Sequence, residues 1–188
     1  MILPIYVYGS DVLRAKAEPM DIATVNKEEL QKLVADMFET MYNAEGVGLA
    51  APQIGKSIRL LVVDGNEAAE TYPYLKGFKR VMINPEVVEE SEDTLVYGEG
   101  CLSVPNIHCD VTRPKSMTVR YYDENLELKE EFLDEFACRM VQHEMDHLEG
   151  NLFVDHAAPI RKKMIMSKLH NISKGKTATF YKTKLAKQ

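Results

Sequence analysis

Two histidines four residues apart, in His143-Glu144-Met145-Asp146-His147, constrain this chain more than any other feature of it. On an α-helix that spacing puts both imidazoles on one face, one turn apart, with Glu144 about 100° round from His143. Phe136 and Met140 precede His143 by seven and three residues. The histidines therefore end a stripe that is otherwise apolar and is predicted to be buried. Buried imidazoles need partners for their ring nitrogens, and a metal ion supplies one. With Glu144 alongside to exchange a proton with water, the pattern is that of a metal-dependent hydrolase. A charged surface helix can carry the same five residues by chance, but an apolar stripe leading into the first histidine does not suit such a helix.

The third ligand discriminates among such enzymes. A third histidine six residues after the second would make a metzincin, but Phe153 stands there. A thermolysin-like site needs a downstream glutamate, and none follows Glu149. Asp155 and His156 remain as downstream donors; the simpler alternative is an upstream cysteine, since a thiolate with two imidazoles leaves one position open to water. Cys138, five residues before His143, is about 140° round the helix and faces away. Cys101 lies in Glu-Gly-Cys-Leu-Ser, where Gly100 lets the backbone approach a ligand closely. Spacing favours Cys101 over Cys138 and leaves Cys109 open. Three cysteines are too few and too odd for a disulfide framework, which points to a reducing compartment, the cytoplasm.

Length and hydropathy fit one α+β domain over residues 1–188, with no membrane span and no signal peptide. The net charge of −6 is unevenly spread. Of 23 Lys and Arg, nine fall in residues 156–188 with no Asp or Glu, leaving fourteen cations against 29 acids elsewhere, a balance of −15. The plain reading of 156–188 is a solvated basic helix and tail; the functional one is contact with an anionic partner such as RNA.

Leu30, Leu33, Val34, Met37 and Met41 predict an amphipathic helix over 27–43, with Asn26 and Glu29 as a capping box. A strand is predicted at 59–64, a surface loop at 65–79, strands near 80–90 and 94–98, and a hairpin over 117–132 turning at residues 123–125. The histidine helix should run from about 134 to 147 and stop at Gly150. Pro159 opens a third helix with Ile160, Met164, Leu169 and Ile172 on one face and Gly175 at its end. This order suggests mainly antiparallel strands around a central metal-binding helix.

The run GVGLAA (46–51) fits a dinucleotide fingerprint, but a helix precedes it and a strand follows, the reverse of the required order, so no nucleotide cofactor is expected. As plain structure it is a tight connection; as function, its glycines bring backbone near a substrate and Gln53 offers an amide. Taken together and in order, GVGLAAPQIG (46–55), EGCLSVP (99–105) and QHEMDHLEG (142–150) resemble the three motifs of the peptide deformylases. The resemblance covers most of residues 1–155.

It implies that Cys101, His143 and His147 bind one divalent metal, typically ferrous iron, with zinc, nickel or cobalt able to occupy the site. It implies Glu144 as general base and acid, and Gln53 with the Leu102 N–H as donors to the formyl oxygen. Gly46, Val47, Gly48 and Glu99 would line the peptide cleft, and the substrates would be formyl-methionyl nascent chains. Phe136 and Met140, on the ligand face, are candidates for the methionine pocket. Arg139 also lies near that face, and its stem could line the pocket with its head in solvent. Relatives can carry an arginine a few residues after the CLSVP run; here Asn106, Ile107 and His108 stand nearby, and that contact is not carried over. A transient ribosome contact through the basic tail rests on charge asymmetry alone. The rival readings are a metallopeptidase and a metal-stabilised RNA-binding module.

Overall fold

Residues 60–63, Leu-Leu-Val-Val, are apolar without alternation, the pattern of a strand covered on both faces. In the computed structural model, which describes residues 1–187, they lie in β3 (Leu60–Asp64), buried throughout. β3 belongs to a five-stranded antiparallel sheet with β2 (Gly48–Ala50), β4 (Lys79–Glu90), β7 (Ser116–Tyr122) and β8 (Leu128–Asp134), in the order β2-β3-β4-β7-β8.

Alternation along the strands sorts the side chains to two helices. Leu60, Val62, Val81 and Ile83 pack with Leu30, Met37, Phe38 and Met41 of α1 (Lys27–Asn43). Leu61, Val63, Met82 and Val119 pack with Ala137, Cys138, Val141 and Leu148 of α2 (Glu135–Leu148). Each such Leu or Val, fully buried, contributes about 1.5–3 kcal/mol relative to exposure. The Asn26 side chain accepts from the Glu29 N–H at 3.1 Å, which caps α1 as predicted. The 117–132 hairpin forms as β7 and β8, closing at Tyr122 opposite Leu128.

α2 is sandwiched. On its far side stands a second antiparallel pair, β5 (Thr94–Cys101) with β6 (Val104–Pro114). β6 buries Val104, Ile107, Cys109 and Val111 against Leu152–Val154 and against Ile165, Leu169 and Ile172 of α3 (Pro159–Ser173). The α+β architecture around a central helix is the expected one.

Four local expectations change. Residues 104–114 form a long strand that sequence reading left unassigned. The exposed face of α3 includes Ile160 (77% exposed) and Met164 (66%), and Ile165 takes the inward position beside Leu169 and Ile172. Loop 65–79 is no mere surface excursion: two short 3-10 turns send Leu75 fully into the core. The basic tail folds back, with β9 (Thr183–Lys184) parallel to β1 (Ile5–Tyr6), so the two ends of the described chain form a small sheet of their own.

Candidate active site

α2, the Gly46–Gly48 segment and the β5–β6 hairpin enclose a cleft of about 890 Å³. Gly46, Val47, Gly48 and Gln53 border one side, Glu99, Cys101 and Leu102 another, and Phe136, Met140, His143 and Glu144 the floor of α2. Another cleft, of about 900 Å³, is lined by Arg59, Asn84, Tyr122, Met145 and Glu149 among others, but by none of Cys101, His143 or His147.

The ligating atoms of Cys101, His143 and His147 all lie within 4.8 Å of one another. Cys101 reaches them because the β5–β6 register slips between Glu99 and Cys101, a bulge at the end of the hairpin. A Cβ on Gly100 would lie 2.8 Å from the exposed His108 ring, so a side chain there would have to push that ring aside. The Cys101 Sγ is 3.4 Å from His147 Nε2. Cys138 is fully buried among the sheet-facing residues of α2, its thiol pushed up to about 12 by burial. Cys109 is a core residue of β6. Asp155 pairs with Arg14, and His156 with Asp146.

Burial alone would strip the charge from both imidazoles. The Cys101 sulfur and the Glu99 carboxylate outweigh it at His143, whose affinity for protons is raised, whereas at His147, 1% exposed, burial and the neighbouring His143 lower it. Of the three buried side-chain polar atoms without a hydrogen-bond partner among the described residues, two are His147 Nδ1 and Glu144 Oε2. One thiol and two imidazoles converging beside a buried carboxyl with an unpaired oxygen fit a divalent cation. The donor set, one sulfur and two nitrogens, is that of a transition metal and not of calcium or magnesium.

His143 is aimed by its neighbours. Its Nδ1–H donates to Glu99 Oε1 at 2.9 Å. Arg113 donates to both Glu99 oxygens at 2.8 and 3.0 Å and to Asp146 at 2.7 Å, and Arg139 donates to Glu99 Oε2. Burial would raise the Glu99 carboxyl, but His143 and Arg113 drive it far below its usual range, so it stays a carboxylate. Glu99 thus borders the cleft with its carboxylate turned to His143 and the arginines. Arg139 corrects an expectation. Its head is not in solvent but 3% exposed, donating to the Val111 and Leu95 carbonyls at 2.7 Å each, over the Tyr97 ring.

Glu144 is buried, and burial raises its carboxyl to about 7. It fits only because residue 48 is glycine, since a Cβ there would stand 2.6 Å from Glu144 Oε1. Gln53, 1% exposed, has its amide oriented: Oε1 accepts from the Ala50 N–H at 2.9 Å, which turns Nε2 to Ser103 Oγ at 3.1 Å and toward Cys101 Sγ at 3.6 Å. Leu102 sits on the turn between β5 and β6, and its carbonyl accepts from the Tyr181 hydroxyl at 2.7 Å. Phe136 stacks on Tyr72 with centroids 4.6 Å apart, and Met140 is buried beside it in the same apolar cluster.

Sequence reading missed Arg113, Ser103, Tyr72 and the tail residues Ala178–Tyr181, which border the cleft or hold its walls. One signal was present for Arg113: it falls in phase with Ile107, Cys109 and Val111, and an arginine on an inward face needs an acidic partner.

Residues 2–163 match the family profile described as polypeptide deformylase. Peptide deformylases of Flavobacterium psychrophilum and Christiangramia forsetii are 44% and 42% identical to this chain, over 98% and 97% of it and 97% and 95% of their own lengths. The crystal structure of a peptide deformylase from Legionella pneumophila superposes with a TM-score of 0.79 at 38% identity, covering 93% of this chain and 96% of that one.

Proposed function

Because this chain belongs to the polypeptide deformylase family, whose members are metal-dependent hydrolases removing formyl from the N-terminal methionine of nascent chains, we propose roles for its cleft residues in that reaction. Cys101, His143 and His147 hold one divalent ion, ferrous iron in the native enzyme, with zinc, nickel or cobalt as substitutes. When bound, that ion supplies a Lewis acid that makes water a nucleophile near neutral pH. Glu144 takes a proton from the attacking water and gives it to the leaving amine as the formyl C–N bond breaks, releasing formate. A carboxyl whose affinity for protons lies near neutrality suits both halves of that exchange. Gln53 Nε2 and the Leu102 N–H donate to the formyl oxygen as its charge develops. Val47, Phe136 and Met140 receive the methionine side chain, while Gly46 and Gly48 let the peptide backbone approach and Glu99 keeps His143 in place.

The observation that carries these assignments is the convergence of one thiol and two imidazoles within 4.8 Å, beside a buried carboxylate with an unpaired oxygen. Formate release from formyl-Met peptides, without cleavage of internal peptide bonds, tests the reaction. Glu144→Gln tests the roles: metal should be retained while kcat falls by roughly 10²–10⁴. A variant that keeps wild-type turnover would remove Glu144 from the mechanism. Anaerobic purification followed by metal analysis tests the iron assignment, with activity lost in air and restored by ferrous ion as the expected result.

The exposed lysines of α3, Lys162, Lys163 and Lys168, serve as a transient contact with ribosomal RNA, supported by the charge asymmetry. Residues 1–188 act as one catalytic domain in the cytoplasm, where formylated chains are made; no helix among the described residues is long and apolar enough to cross a membrane.

A further inference from the structure

We propose that the segment Ala178–Tyr181 is a wall of the peptide cleft, with Phe180 a specificity-determining residue that takes an apolar side chain of the formylated peptide beyond its methionine. This rests on reading the cleft as the site of deformylation. All four residues border the same cleft as Gln53, Cys101 and Glu144. At about 890 Å³ the cleft is near the upper end of the ~300–1,000 Å³ of ligand sites, more space than one methionine side chain requires.

The segment is fixed before any ligand arrives. Tyr181 donates from its hydroxyl to the Leu102 carbonyl at 2.7 Å, tying the wall to the residue after Cys101. The Ala178 carbonyl accepts from Asn106 Nδ2 at 3.4 Å, and Thr179 Oγ1 donates to the Tyr181 carbonyl at 2.6 Å. Immediately beyond, the Ile5 N–H donates to the Lys182 carbonyl at 2.9 Å, where β9 joins β1. On this tethered backbone Phe180 is 70% exposed, its ring edge-on to Tyr181 at 5.3 Å. An aromatic ring kept in water on an ordered backbone, at the margin of a binding cleft, gains by covering an apolar ligand group without the entropy of ordering a loop. Continuity with the cleft identifies that group as part of the substrate.

The test compares wild type, Phe180→Ala and Phe180→Leu on formyl-Met-Ala and on formyl-Met-Ala-X peptides with X as Leu, Phe, Ser or Glu, following formate release. Phe180→Ala should raise KM by roughly 3–10-fold for X as Leu or Phe, the range for one aromatic contact. It should leave kcat, formyl-Met-Ala and the Ser and Glu peptides unchanged, and Phe180→Leu should restore most of the loss. An unchanged thermal midpoint for Phe180→Ala, expected of an exposed position, shows that the fold is kept. An equal loss on every peptide, or none on any, overturns the proposal while leaving deformylation in place. Wild type that releases no formate from any of them overturns the reading of the cleft, and the wall with it.

Discussion

At the scale of single residues, the site depends on atoms that are absent as much as on those present. Gly48 has no Cβ because Glu144 lies where one would be. Gly48→Ala should therefore displace the carboxylate and lower kcat about 10²-fold, the usual effect of a misplacement near 1 Å, with metal content unchanged by elemental analysis. Glu99 is the opposite case, a buried anion on which two arginines and His143 converge. Glu99→Gln leaves Arg113 and Arg139 short of a counter-charge. Denaturant unfolding should show a loss of roughly 3 kcal/mol. Chelator competition should show metal held ~10–100-fold more weakly, as for other groups that orient a ligating histidine. The meeting of His143, His147 and the favoured Cys101, with Glu144 in the same cleft, was legible because helix spacing and a flanking glycine carry local information. The bonds of Glu99 were not, since Arg113 and Arg139 lie 14 and 40 residues away and meet it only after β5, β6 and α2 have packed.

At the scale of elements, the helices and the 117–132 hairpin were readable because each declares itself within a few turns: a cap at Asn26, apolar spacing along α1, a polar turn at residues 123–125. β6 was not, because its eleven residues are broken by two prolines and by polar outward positions. The predicted face of α3 failed at Ile160 and Met164 for a related reason, since the helix has apolar residues on several sides and only the packing against β6 selects among them. Three strands are clamped by a further group: Arg80 of β4 and Tyr121 of β7 both donate to Glu131 of β8. Burial would raise the Glu131 carboxyl, but these bonds hold it below its ordinary value. Its contribution is therefore fully present above the unfolded-state pKa, about 4.3, and disappears as the pH falls through the lower folded-state value. Glu131→Gln should cost about 1 kcal/mol near neutrality, modest because the Arg80–Glu131 pair is partly solvated. Its acid unfolding limb, measured by denaturant titration between pH 6 and pH 3, should be flatter than that of wild type.

At the scale of the whole molecule, charge separation was legible from counting, but its geometry was not. Residues 156–188 divide into an exposed basic helix and a tail built into the fold. Deleting the tail would therefore confound binding with folding, and charge reversal on α3 is the cleaner probe. Lys162→Glu, Lys163→Glu and Lys168→Glu together should weaken ribosome co-sedimentation and flatten its salt dependence by roughly 0.7–0.9 in log–log slope for each phosphate no longer neutralised, with kcat on free peptides unchanged. Binding that kept its salt dependence would remove α3 from the ribosome-facing surface. Nothing in the tail's composition announced its return to Ile5, because parallel pairing of two short strands 178 residues apart is made by backbone groups and leaves no pattern in the side chains.

That return has a consequence for the order in which the molecule is made. Translation runs from one end, so the thiol, both imidazoles, Glu144 and Gln53 all emerge from the ribosome before Tyr181. A chain halted with residue 181 still in the exit tunnel would carry its whole chemical apparatus while one wall of the cleft and the Tyr181 tie to Leu102 were missing. Synthesis thus delivers the cysteine, the two histidines, Glu144 and Gln53 before the segment that borders their cleft, so the cleft is complete only once residues 178–181 have emerged.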